Sequence, residues 1–164
     1  MEKNELKEKC MAISTLIEQT NKNNVFNNVI EFFQLTSELH DRLGEIQAIP
    51  LKQKDPSVWM WLFKRKKAKK IDEELGDLGR QKLGLCQTIS NCGRTKHWNN
   101  RSKEGEQITK HNIFFGGISG LNTLPIAEWE ACKTTEPEVY ETIANQMNDF
   151  IHSHQKGFML TNWF

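Results

Sequence analysis

The chain has 164 residues, of which 37% are hydrophobic and 26% charged, and this size suits one domain over residues 1–164 that can bury its own core. Lysine and arginine number 22 against 21 aspartate and glutamate, which excludes attraction to nucleic acid by overall charge. The charged N-terminus has no signal-peptide core, and no apolar run approaches the ~20 residues of a membrane-crossing helix. The four dispersed cysteines indicate reduced thiols. We therefore expect a cytoplasmic protein.

The first predicted element is an amphipathic helix over residues 3–19. Its apolar residues recur at steps of three and four and therefore share one face: Leu6, Cys10, Ile13 and Ile17. The asparagines at 21–24 end this helix, and a second apolar pattern runs from Val25 to Ile46 for about six turns. A stripe of that length needs a partner face, so we expect the two helices to pack together.

A third helix is predicted after the prolines that follow the second. Asp55 and Pro56 have the character of an N-cap and a first-turn proline. Each glycine inside a helix costs about 1 kcal/mol relative to alanine, so the third helix is predicted to kink or divide where three of them occur. These glycines are Gly76, Gly79 and Gly84.

The third helix opens with SVWMWLFKRKKAKK, residues 57–70, which we call the basic-aromatic stretch. Helical spacing places Trp59, Leu62 and Phe63 on one face, which we predict to lie in the core. Trp61 lies about 200° around the helix from Trp59 and is predicted to be exposed. Helical spacing alone therefore predicts one buried and one exposed tryptophan.

The segment at about 91–125 shows no sustained period and contains five glycines, which predicts a long irregular connection. Its apolar run 108–115 leaves open a short β-like pairing, with the C-terminal tail as one partner. Thr135 and Glu138 have capping-box spacing at the start of a last helix that is predicted to reach Gly157. The resulting fold class is all-α, an irregular bundle of four or five helices.

The basic-aromatic stretch is the leading candidate for a binding surface. We predict that Trp61 contacts a partner together with the neighbouring cations: Lys64, Arg65, Lys66, Lys67, Lys69 and Lys70. Phosphate or anionic-lipid contacts suit these residue types. The alternative is a solvated helix face, with lysines paired to Glu73 and Glu74 one turn later and the aromatic residues in the core.

Two weaker alternatives involve chemistry. Cys86, Cys92, His97 and His111 are residue types that bind zinc, but their spacing lacks the tight knuckle of structural sites. Arg94, His97, Arg101 and His111 could instead serve RNA cleavage, since histidine exchanges protons near neutral pH and arginine holds phosphate.

The HEPN class of all-helical ribonucleases requires an arginine and a histidine at a short fixed spacing on one helix. Here two residues separate Arg94 from His97 and nine separate Arg101 from His111, so the chain departs from that pattern. A metal-independent, HEPN-like ribonuclease using His97 or His111 is therefore kept as an alternative function, beside ordinary polar residues.

The function predicted first is that of a non-enzymatic interaction or regulatory protein without a cofactor. Such a protein would bind another macromolecule through exposed helix faces and the basic-aromatic stretch. A protein partner is predicted first, and a nucleic acid or an anionic membrane surface are the alternatives. Nucleic-acid binding without catalysis is the remaining alternative function.

Overall fold

A computed structural model describes residues 1–101, 112–113, 124–125, 131 and 133–164, with the backbone alone given for 93–101 and for the two short strands. The predicted all-α bundle is confirmed. Four helices of at least seventeen residues build it: α1 (Lys3–Gln19), α2 (Val25–Asp41), α5 (Arg65–Arg101) and α6 (Pro137–Ser153). Three short helices whose residues are all described accompany them: α3 (Leu43–Ala48), α4 (Val58–Phe63) and α7 (Gln155–Phe158).

Helix α1 has the predicted bounds, and its predicted apolar face is buried. The second apolar pattern, in contrast, is divided between α2 and α3 at Arg42, whose φ of −106° and ψ of 16° leave helical geometry. The Arg42 guanidinium donates to the Glu5 carboxylate at 2.7 Å, which joins this junction to α1. Ile46 on α3 is still buried, so the apolar stripe continues across the break.

Helix α2 occupies the centre of the bundle because it packs against α1, α5 and α6. Phe32 on α2 is fully buried, and its ring contacts the rings of Phe33, His154 and Phe158. Aromatic pairs of this kind add to the stabilisation that burial of apolar area provides. One core therefore joins the N-terminal helices to the C-terminal end of the chain.

Helix α5 is 37 residues long and spans about 55 Å. It passes through all three glycines without interruption, so the predicted division there is wrong. The break lies instead at Lys64, where φ is −134° and ψ is 49°. Residues 91–101, predicted to be irregular, are helical in backbone, because a helix already nucleated in the bundle gains one hydrogen bond with each further residue.

A short β pairing exists, but its partner differs from the one considered from sequence. Strand β1 (Asn112–Ile113) pairs antiparallel with β2 (Leu124–Pro125), with Ile113 opposite Leu124. The C-terminal tail packs on the bundle instead, where Phe158 and Trp163 are buried. The rest of the segment 102–123 lies outside the described residues.

The start of α6 differs from the predicted capping box. Its N-cap is Glu136, without a side-chain cap bond, whereas the Thr135 hydroxyl donates to the Ala131 carbonyl at 3.3 Å. Pro137 occupies the first turn. The helix ends at Ser153, and α7 then carries the chain past Gly157.

We predict that His154, between α6 and α7, makes the stability of the fold depend on pH. Its ring stacks on Phe32 at 5.9 Å and meets Phe150 edge-on at 4.9 Å. Burial lowers the pKa of His154 below its ordinary value of 6.5, because the charged imidazolium is poorly solvated there. On acidification His154 is therefore protonated more readily in the unfolded chain than in the folded one, so the stability of the fold decreases as the pH drops below about 6.5.

Thermal unfolding measured from neutral to mildly acidic pH should show this loss of stability, and His154→Leu should reduce its pH dependence. If His154→Leu and the unaltered chain lost stability in parallel on acidification, the dependence would belong to other groups.

Candidate binding surface

Helix α4 forms the apolar part of the basic-aromatic stretch and has a local reason to begin where it does. The Ser57 hydroxyl accepts a hydrogen bond from the Met60 amide at 3.2 Å, which is the usual N-cap interaction. The predicted N-cap, Asp55, is therefore wrong by two residues. The helix ends at Phe63, because the Lys64 backbone leaves helical geometry.

The side chains of α4 point to solvent. Trp59 is 70% exposed, Leu62 67% and Phe63 74%, and Trp61 is less exposed at 40%. The predicted burial of the first three in the core is thus wrong, and both tryptophans are exposed. The physical reason is that, among the described elements, α4 packs chiefly against α5.

Local contacts hold α4 in place without the core. The Trp59 and Phe63 rings stack at 5.6 Å between centroids with an interplanar angle of 7°. Ala68 is fully buried, yet it is not part of the main core cluster, so it marks a separate packing point beside the junction. The Lys64 amide donates to the Met60 carbonyl at 2.8 Å, and the Lys64 carbonyl accepts from the Ala68 amide at 3.0 Å.

The six cations that follow are all exposed. Within the described part of the chain, one of them makes an ion pair, Lys69 with Glu73 at 4.0 Å, whereas the predicted pair of Lys70 with Glu74 is not formed. Ion pairs between exposed side chains contribute little, and this one is long. The positive charge of the basic-aromatic stretch therefore remains available to a partner.

The cations are distributed around the beginning of α5. At about 100° per residue, the five from Arg65 to Lys70 span about 200° of the helix, on the side opposite Ala68. They lie within about 8 Å along the helix axis. The acidic residues begin immediately afterwards at Asp72, so the two signs of charge are separated along the helix.

Two cysteines of the zinc alternative are core residues. Cys86 and Cys92 are both buried on α5, and burial raises the pKa of both thiols, that of Cys92 to about 12. Zinc binds the thiolate, which a raised pKa disfavours. The backbone of His97 lies on α5, but its side chain is outside the described residues, and His111 is outside them entirely. Among the residues that are described, no group of three or more potential ligands could hold a metal ion.

We expect the buried thiols to resist modification in the folded protein. Burial raises the pKa of Cys10 to about 12 as well, so few thiolates exist at pH 8 and reagents cannot reach them. In a Cys132→Ser background, an aromatic disulfide reagent should label the three remaining cysteines at least a hundredfold more slowly than after denaturation, since labelling requires opening of the core. Rapid stoichiometric labelling of the native protein would contradict this arrangement.

The residues of the ribonuclease alternative are only partly placed. Arg94, His97 and Arg101 belong to the C-terminal part of α5 by their backbone, and their side chains lie outside the described residues. His111 lies outside as well. RNA cleavage by His97 or His111 therefore stays a prediction, to be tested by incubating labelled RNA with the chain and with His97→Ala and His111→Ala.

A groove of about 700 Å³ lies between α5 and the C-terminal tail. Its walls include Arg80, Thr88, Lys156 and Trp163. It is open, and its lining is more apolar than polar, with the two cations Arg80 and Lys156 spaced along it. The basic-aromatic stretch offers the more distinctive chemistry, because it combines exposed aromatic residues with concentrated charge.

Sequence reasoning located this surface but missed that most side chains of α4 are exposed. The signal was present, since all six residues of α4 are apolar and together they surround the helix. A single interface can bury one side of such a helix and leaves the rest exposed.

Comparisons with protein-family models, with curated proteins and with solved structures find no match to this chain. In the described part of the chain, no helix combines the length and apolar character needed to cross a bilayer.

Proposed function

We propose that this chain is a non-enzymatic interaction protein that binds an anionic macromolecular partner through the basic-aromatic stretch. The observation that carries the proposal is the exposure of five of the six α4 side chains directly beside six exposed cations. Tryptophan and arginine are enriched among the residues that dominate binding energies, and both occur here.

The size of the apolar surface supports a binding role. An aromatic side chain can bury roughly 150–250 Å², so the exposed fractions of Trp59, Trp61 and Phe63 leave about 350 Å² of aromatic surface in water. Val58 and Leu62 extend the same patch. A contiguous apolar patch of a few hundred Å² is typical of an interaction site, whereas single exposed apolar residues need no explanation.

Charge gives the surface its selectivity. The whole chain has a formal net charge of +1, yet the basic-aromatic stretch places six cations in seven consecutive positions. Such local concentration attracts anionic groups within about a Debye length of 8–10 Å and repels cationic ones. An anionic partner with an apolar region beside its charges is complementary to both parts of the surface.

Two variants test the proposal. The apolar variant carries Trp59→Ser, Leu62→Ser and Phe63→Ser, and the charge variant carries Lys66→Gln, Lys67→Gln and Lys70→Gln. Each has a matched control on exposed residues elsewhere: Met11→Ser with Leu83→Ser for the first, and Lys3→Gln, Lys7→Gln and Lys156→Gln for the second. The charge control has the same net charge as the charge variant.

Binding is measured to three probes: anionic phospholipid vesicles, a single-stranded oligonucleotide and polyglutamate. The proposal predicts that the unaltered chain binds at least one probe, that the apolar and charge variants lose this binding, and that both controls keep it. The proposal is contradicted if the unaltered chain binds none of the probes. It is also contradicted if the apolar and charge variants bind each probe as strongly as the unaltered chain does.

A further inference from the structure

We infer that the partner is the surface of a bilayer that contains anionic phospholipids, an inference that rests on the proposed function. In this arrangement α4 enters the interfacial layer, and the cations at the beginning of α5 contact lipid phosphates. Three properties of the basic-aromatic stretch favour a bilayer over a protein groove or a nucleic acid.

The first property is the absence of a polar side on α4. A helix that docks into a protein groove presents anchors at steps of three and four on one face. The six residues of α4 are apolar at every position, and five are exposed, with Met60 partly buried. The interfacial layer of a bilayer can surround such a helix, and tryptophan is especially favoured at that depth.

The second property is the axial order of the charges. The cations from Arg65 to Lys70 occupy about 8 Å along α5, close to the roughly 5–8 Å of one headgroup layer. They also surround about 200° of the helix, which suits an end-on approach better than a single charged stripe would. Each basic residue near an anionic surface strengthens binding by about fivefold.

The acidic residues that follow complete this order. Four carboxylates occur between residues 72 and 77, at Asp72, Glu73, Glu74 and Asp77. An anionic bilayer repels them, so contact is restricted to α4 and the first turns of α5. The remaining length of α5, with the bundle packed on it, is then held away from the membrane.

The third property concerns the aromatic rings. Nucleic-acid surfaces use free aromatic faces on which bases stack. Trp59 and Phe63 already stack on each other at 5.6 Å, which occupies one face of each ring. Val58 and Leu62 offer nothing for a base to stack on, whereas aliphatic side chains gain fully from entry into an acyl-chain boundary.

Flotation with vesicles of defined composition tests the inference. The unaltered chain should float with phosphatidylcholine vesicles that contain about one-third phosphatidylserine, and at least tenfold more weakly with pure phosphatidylcholine. The charge variant should bind the anionic vesicles about 100-fold more weakly and the apolar variant more than tenfold more weakly. Both matched controls should bind within about twofold of the unaltered chain.

A gain of binding supplies a result that misfolding cannot produce. Asp72→Asn with Glu74→Gln removes two exposed carboxylates next to the cations and should strengthen flotation with anionic vesicles severalfold. Circular dichroism should show the same helix content for all variants, because every substituted side chain is exposed.

The inference is overturned if the chain floats equally with neutral and anionic vesicles, if the charge variant floats like the unaltered chain, or if nothing floats. Binding of the oligonucleotide or of polyglutamate that depends on the basic-aromatic stretch, without flotation, would reject the membrane and leave the proposed function standing. If the chain neither floats nor binds any other probe, both the membrane inference and the proposed function are rejected.

Discussion

Trp163→Ala is expected to lower the free energy of unfolding by about 3–5 kcal/mol, the range for removal of a large aromatic side chain from a core. Trp163 is only 2% exposed although it is the penultimate residue, and its ring meets that of Phe164 at 4.3 Å. Its carbonyl accepts from the Lys52 amide at 2.8 Å. The substitution therefore leaves a cavity and releases the C-terminal tail from the bundle.

Lys82 extends the effect of Trp163 to α3 and α5. The Lys82 ammonium lies 5.8 Å from the centroid of the Trp163 ring and donates to the carbonyls of Gln47 and Ile49 at the end of α3. A cation beside the last carbonyls of a helix is favourable, and the aromatic face adds a cation–π interaction.

Urea denaturation of Trp163→Ala and of Met159→Ala measures this effect within one segment. Met159 belongs to the same tail but is 59% exposed, so its truncation should change the free energy of unfolding by no more than about 0.5 kcal/mol. Similar losses for the two variants, or a loss below about 1 kcal/mol for Trp163→Ala, would show that the tail does not stabilise the bundle.

Gly157→Ala should destabilise the fold by about 1–3 kcal/mol or more, because α7 and α5 approach closely at this residue. A Cβ on Gly157 would lie 2.6 Å from Cβ and 2.7 Å from Cγ2 of Thr88, and closer still to its hydroxyl oxygen. Thr88 cannot rotate away without loss, because its hydroxyl donates to the Gly84 carbonyl at 2.9 Å. One of the two helices must therefore shift.

Gly79→Ala is the matched control, since a Cβ there meets no atom within 4 Å. Alanine in that helix interior should stabilise the protein by about 1 kcal/mol. Thermal unfolding of both variants should thus give opposite signs. A Gly157→Ala protein as stable as Gly79→Ala would mean that α7 does not lie against α5 as the structure has it.

The helices that build the core could be predicted because their apolar spacing is regular. Helix α1 has the bounds predicted from the spacing of Leu6, Cys10, Ile13 and Ile17. On α6, Ile143 and Met147 are buried. Backbone breaks were harder to predict. Arg42 and Lys64 are ordinary residues for a helix, so local propensity does not mark either interruption.

For α5 the error was of the opposite kind, because the glycines predicted an interruption that does not occur. Three of them together cost about 3 kcal/mol relative to alanine, yet the helix runs through them because its packing on α2 and α3 outweighs that cost. Polar residues after position 91 likewise favoured a loop, although a helix that has already formed can continue without an apolar stripe.

The candidate surface was located from sequence, but its exposed residues were not. Helical spacing assigns Trp59 and Trp61 to different sides of α4, as it must at 100° per residue. It does not show whether any element covers either side. Which side of α4 faces the bundle depends on the change of chain direction at Lys64, and the sequence pattern does not indicate that change.

Membrane contact of α4 is tested most directly by the fluorescence of the Trp59 and Trp61 pair, in a chain whose other three tryptophans are replaced by phenylalanine. Free in solution, the emission of this pair should be that of water-exposed indoles and should be quenched by acrylamide. Vesicles containing phosphatidylserine should shift the emission to shorter wavelength, and brominated acyl chains should quench it. Emission typical of a buried indole in the free protein, or emission unchanged by anionic vesicles, would contradict the account.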